Sequence, residues 1–160
     1  MVSPPPASEV ITGLVAWGRN DCKQCEVPDF TSKVVTMIAA GGLHSLALVQ
    51  GGTVIAWGRN SEEQCEVPDF TGKTVTAIAA GSSHSLALMQ DGTVAAWGNN
   101  DSQQCEVPDF AGKTVTAIAG RRDHSLVITV GGPVPAPVIT DPKDNTGSSP
   151  SRGPRPNSPT

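Results

Sequence analysis

Short apolar runs alternate with turn residues through the middle of the chain. Thr74-Val75-Thr76-Ala77-Ile78-Ala79-Ala80 is partly β-branched and closes at Gly81. Ser85-Leu86-Ala87-Leu88-Met89 follows His84 and leads into Asp91-Gly92, and Thr93-Val94-Ala95-Ala96-Trp97 ends at Gly98. Runs of this length between Gly, Asn and Asp read as strands, and no window carries the sustained 3.6-residue apolar period of a helix. Asp-Gly between two apolar runs signals a hairpin in which both turn residues take positive φ. The pattern predicts a three-stranded antiparallel meander. A fourth strand within 105–110 is an alternative that Pro108 would confine to an edge.

This unit recurs. Trp17, Trp57 and Trp97 are 40 residues apart, as are Cys25, Cys65 and Cys105, and His44, His84 and His124. The two full copies, 34–73 and 74–113, agree at about 28 of 40 positions. Such a period marks units that bury their apolar faces only against one another. The first strand of each unit is built from small residues and the third carries the bulky Trp. That taper suits blades converging on an axis, so the expected class is all-β, with three blades' worth of a β-propeller.

The two ends of the repeat region are incomplete in opposite senses. Residues 12–17 align with 52–57, a third strand without its hairpin. Residues 114–119 and 125–130 supply strands one and two, after which Gly131-Gly132 runs into Pro133, Pro135 and Pro137. Prolines remove the amides that a third strand needs. The leading strand is therefore expected to complete the last blade. Three blades would each have to fill a 120° sector, which twisted sheets about 10 Å apart do not do easily. Completion is expected between copies, six blades in a dimer being favoured over nine in a trimer. The alternative is a fragment of a longer repeat protein. Residues 9–132 form the repeat region, while the Pro-rich stretches 1–8 and 133–160 are expected to be disordered.

Composition narrows the function. The chain has 160 residues, 16% of them charged, and a net charge of −4. A sequence pI near 5.2 gives no electrostatic reason to expect a nucleic-acid partner. No apolar run reaches 18 residues, so no membrane helix is expected. Met1-Val2-Ser3-Pro4-Pro5-Pro6 has no basic segment followed by an apolar core, so no secretory signal is read and the cytoplasm is the default. Three of the four cysteines are locked to the repeat, unlike a disulfide framework.

The stretch Ala79-Ala80-Gly81-x-x-His84-Ser85-Leu86-Ala87-Leu88, followed by Asp91-Gly92-Thr93-Val94-x-Ala96-Trp97-Gly98-x-Asn100, resembles a known repeat. It is similar to that of the regulator of chromosome condensation family, whose members are seven-bladed propellers. The likeness runs from about residue 12 to 130, and the 40-residue spacing is closest to the compact bacterial type. It implies a propeller. The surfaces that the family's nucleotide-exchange and nucleosome-docking member uses lie outside the motif and cannot be matched here.

Candidate sites divide into structural and binding sets. His44, His84 and His124 each precede a Ser, but neighbours on a strand point to opposite faces and cannot share a proton. Their repetition favours a structural role, the imidazole bonding backbone in the turn. Trp17, Trp57 and Trp97 are expected to pack between blades, each burying on the order of 150–250 Å². Cys22 and Cys25 form a C-x-x-C whose first position is Glu62 and Ser102 in later copies, so no metal site is expected. Cys25, Cys65 and Cys105 are expected to behave as small buried hydrophobes. Gln-Cys-Glu-Val-Pro-Asp-Phe, identical in three copies, reads as a clip between blades.

Differences between copies fall mainly in the turn after strand one and the stretch after strand three. Both should emerge on one face, and loops on a rigid scaffold are where binding lives. The partner-binding candidates are Arg121, Arg122 and Asp123, then Arg59, Glu62 and Glu63, then Asp21 and Lys23. The expected function is a non-enzymatic interaction scaffold, without cofactor, metal or membrane, whose partners are copies of itself and an unknown protein. A propeller hydrolase or lyase using His and Asp at the ring mouth, with His124 after Arg-Arg-Asp, is the alternative.

Overall fold

The computed structural model describes residues 13–132, so the leader and tail assigned from composition lie outside the described residues. Eight strands run in chain order: β1 Val35–Ala40, β2 His44–Val49, β3 Thr53–Gly58, β4 Val75–Ala80, β5 His84–Met89, β6 Val94–Gly98, β7 Thr114–Arg121 and β8 His124–Val130. They form antiparallel sheets β1-β2-β3 and β4-β5-β6, and a two-stranded sheet β7-β8. No helix among the described residues is long and apolar enough to cross a membrane.

Each first strand carries a bulge near its start, at Thr36, Thr76 and Thr116. There the Thr hydroxyl donates to a carbonyl of the partner strand, Thr36 to Leu48 at 3.1 Å and Thr76 to Leu88 at 3.2 Å. A bulge twists its strand locally, which suits the propeller taper. The hairpin turn differs from expectation. Gly92 has φ 82° but Asp91 is not in the left-handed region, and Gly92 N–H donates to the Met89 carbonyl at 3.0 Å. This is a three-residue loop closed by a left-handed glycine, with Asp91 accepting from Thr93 instead. No strand forms within 105–110 in the fold; that stretch is a connector.

The sheets stack face to face. Leu46, Leu48 and Val54 of the first sheet pack on Val75, Ala87, Met89 and Trp97 of the second. Behind the first sheet, Trp57 packs with Phe30, Ala47 and Val49, and Leu14 leans on the same cluster. First strands come closest together: a Cβ on Gly120 would lie 2.8 Å from the Ala80 backbone. Small residues there permit that approach, as the taper required.

Residues 13–17 depart from prediction. They form no strand, and Trp17 is 85% exposed against 8% for Trp57 and Trp97. The expected inter-blade burial of Trp17 is absent because, among the described residues, it has no counterparts of the Phe30, Ala47 and Val49 that cover Trp57. The connector that follows is nevertheless built like the later ones, with Gly18 at φ 108° beside 106° for Gly58 and 105° for Gly98.

Candidate functional site

The molecule offers two candidate surfaces, the loop face and the open edges. The loop face begins where each third strand ends. Arg59 N–H donates to the Leu43 carbonyl at 2.8 Å and Asn99 N–H to Ser83 at 2.9 Å, which joins the stretch after strand three to the turn after strand one. Those turns are linked between blades too: Gly42 N–H donates to Ser82 and Ser82 N–H to Arg122, at 3.1 and 2.9 Å. Both variable sets thus share one face.

On it the charges largely answer one another. Arg19 pairs with Asp21 at 2.6 Å, Arg59 with Glu62 at 3.9 Å and Arg122 with Asp123 at 3.5 Å. Lys23 and Glu63 sit in the left-handed region at φ 64° and 62° and point into solvent at equivalent turn positions. Arg121 is not a turn residue: it ends β7 opposite His124, leaving Arg122, at φ 39°, and Asp123 as the turn. Among the described residues no group of three or more His, Cys, Asp or Glu could hold a metal ion.

Beneath the face lies a relay that the sequence does not announce. His44 Nε2 meets Ser85 Oγ at 3.0 Å, and His84 Nε2 meets Ser125 Oγ at 3.0 Å. These two imidazoles therefore each bond the Ser of the next repeat, and for His44 that takes the place of the turn-backbone bond expected. Ser85 Oγ donates its single proton to the Gln64 carbonyl at 2.8 Å, so it accepts from His44, whose Nε2 carries the proton. Nδ1 of His44 and of His84 is left bare and buried without a partner. Protonating it would bury an unpaired charge, and desolvation, aided by the neighbouring His84, holds His44 down at about 4. His84 is lowered chiefly by desolvation too.

The glutamines of the connector were missed as functional positions. Gln24, Gln64 and Gln104 are buried. The Gln24 carbonyl accepts from Ser45 Oγ at 3.0 Å and Trp57 Nε1 at 2.9 Å; Gln64 likewise accepts from Ser85 and Trp97. Their invariance across three copies was the available signal. The cysteines also differ from expectation. All four are free and only half-buried, and Cys25, Cys65 and Cys105 each donate Sγ–H to the carbonyl six residues earlier, as Cys65 does to Arg59 at 3.2 Å. Phe30 and Phe70 meet Trp57 and Trp97 edge-on, at 6.1 Å between ring centres.

The open edges lack these partners. Gln104's carbonyl accepts from Ser125 Oγ at 2.8 Å, but position 137, where its Trp would stand, is Pro137. Leu126 and Ile128 on β8 are 59% and 61% exposed and Ile38 on β1 is 64% exposed, although Leu46, Leu48 and Ile78 at the same positions are buried.

The model of the regulator of chromosome condensation (RCC1) repeat matches residues 35–64 and 75–104. No curated protein matches the chain. Prp20p from Saccharomyces cerevisiae is 22% identical with TM-score 0.62, over 71% of this chain and 39% of that one. The ectodomain of the Physcomitrella patens receptor kinase CR4 is 25% identical with TM-score 0.56, over 72% and 32%. The ectodomain of the Arabidopsis thaliana receptor kinase ACR4 is 24% identical with TM-score 0.53, over 65% and 39%. The chain spans well under half the length of each of these structures. Motif and fold agree: this chain carries regulator of chromosome condensation repeats, at residues 35–64 and 75–104, on antiparallel blades of the propeller type.

Proposed function

We propose that the chain is a non-enzymatic protein-interaction scaffold, a propeller segment completed by copies of itself, that presents the loop face to a partner protein. One observation carries the reading. The residues that vary between copies gather on a single exposed face, while the relay and connector beneath them repeat. Prp20p, which shares the fold, has binding properties to Gsp1p and histones. A protein partner suits a face of mixed, internally paired charge better than a polyanion would.

Arg121, Arg122 and Asp123 are exposed on the last blade, as is Glu63 on the first beside the half-buried Arg59 and Glu62, and Asp21 and Lys23 are exposed ahead of it. Tyr is absent and Trp57 and Trp97 are buried, so the aromatic anchors of tight interfaces are scarce. The contact is accordingly modest. The test is the double substitution Arg121→Glu with Arg122→Glu in the full chain. Unchanged circular dichroism with loss of the proteins captured by wild type is the expected result. Capture identical to wild type would discard this face.

A further inference from the structure

Each junction between sheets uses one set of donors and acceptors, and the two ends of the repeat region hold complementary halves of it. Among the described residues, the β8 end has the Gln104 carbonyl without its Trp donor, His124 without its Ser, the Arg122 N–H without its turn carbonyl and Phe110 without its edge-on Trp. At the other end stand Trp17 without a carbonyl, Ser45 Oγ without a His and the Gly42 carbonyl without a turn N–H. Among the described residues, every missing group on one side is present and unused on the other. The apolar faces match as well, Leu126 and Ile128 against Ile38.

At the repeat-equivalent positions the chain's own flanks carry prolines instead of these groups. Pro133, Pro135 and Pro137 occupy the third-strand positions after β8. Counting back by 40, Pro4-Pro5-Pro6 occupy those of His44-Ser45-Leu46 before residues 13–17. The strand that one flank lacks is the strand that the other end offers. Residues 14–17 and β1 enclose a groove of about 360 Å³ beside Leu46 and Trp57, where a β8-type strand would lie. A second cavity of about 250 Å³, lined by Gln104, Phe110, Ser125 and Val127, is where a Trp would lie.

We propose that these edges are the two halves of a head-to-tail interface between copies of this chain, with residues 14–17 of one copy completing the β7-β8 sheet of the next. This rests on the self-completed scaffold proposed above and names its contacts. Continuing the β2-β3 register, Ser125 faces Trp17, Leu126 faces Ala16, Val127 faces Val15 and Ile128 faces Leu14. Trp17 Nε1–H then donates to the Gln104 carbonyl and its ring meets Phe110. His124 Nε2–H donates to Ser45 Oγ of the second copy, whose proton already goes to Gln24. Two such junctions close a six-blade ring, within the four-to-eight range of propellers.

The test uses the full chain. Light scattering across a dilution series should show a dimer that dissociates on dilution, and Trp17→Ala should raise its dissociation constant on the order of thirtyfold or more. Circular dichroism of the variant should remain that of wild type. Ala16→Cys with Leu126→Cys, a directly opposed pair, should give reducible covalent multimers on oxidation. Neither single variant should do so, nor should Ala16→Cys with Val127→Cys, whose side chains point to opposite faces. A chain that stays monomeric at every concentration overturns the interface. So does a multimer indifferent to Trp17→Ala that gives no Ala16–Leu126 cross-link. In either case loss of capture with the Arg121 and Arg122 variant would leave the loop-face reading standing.

Discussion

The junction between β1-β2-β3 and β4-β5-β6 and the two open edges are made from the same residue types at the same repeat positions. Within the junction, Trp97 donates to Gln64, His44 donates to Ser85, and Leu46 and Ile78 are buried. At the edges Trp17 is exposed, Gln104 lacks its Trp, and Leu126 and Ile38 face solvent. Identical side chains thus have opposite energetic roles according to whether a neighbour is present. Stability in such an array belongs to pairs of adjacent units more than to units themselves.

Replacing Trp57 and Trp17 separately gives the largest contrast. Trp57→Ala should cost about 3–5 kcal/mol, as expected for a buried Trp with a satisfied indole N–H. Trp17→Ala should change the unfolding free energy of dilute, dissociated protein by less than about 0.5 kcal/mol, because its ring contacts little. Urea denaturation measures both. Equal losses would mean that Trp17 is already packed within the single chain.

Acid should weaken the interior junction next. The folded value of His44, about 4, lies below its ordinary 6.5, so the folded state favours the neutral ring. Above pH 6.5 both states are neutral and this contribution is fully present. Between pH 6.5 and 4 the unfolded chain takes up a proton that the folded chain refuses, and stability falls by up to about 3 kcal/mol. His84, lowered in the same direction, adds to the fall. Denaturation midpoints across this range should decline, and a His44→Gln variant should flatten the decline. A midpoint independent of pH from 7 to 4.5 would contradict the buried neutral imidazole.

Serine variants sharpen the comparison at a smaller scale. Ser85→Ala strands the buried His44 Nε2–H and should cost about 1–3 kcal/mol. In dilute, dissociated protein Ser45→Ala removes only the bond to Gln24 and should cost about 1 kcal/mol or less. Chemical denaturation of the two variants side by side gives the difference. A Ser45 loss as large as that of Ser85 would show that the relay matters less than the common Ser-to-Gln bond.

Much of this was legible from spacing. The strands of the two complete units, their order and the loop face follow from local pattern, because alternation and turn chemistry act over a few residues. The partner of each His was not, since His44 and Ser85 are 41 positions apart and meet only across a junction. Asp91-Gly92 pointed to a two-residue turn, but the register of Met89 with Thr93 set a three-residue loop. The cysteines looked apolar, yet the turn at 59–65 brings the Cys65 thiol to a carbonyl.

Sequence alone determined the repeat, the all-β class, the position of each hairpin and the prolines that stand at the third-strand positions after β8, since alternation and turn chemistry constrain the backbone locally. Only the tertiary structure decided which Trp is buried, which proton each imidazole holds and which apolar faces stay open. Burial and hydrogen-bond satisfaction depend on the adjoining sheet, and residues 40 apart look alike until that sheet is or is not there.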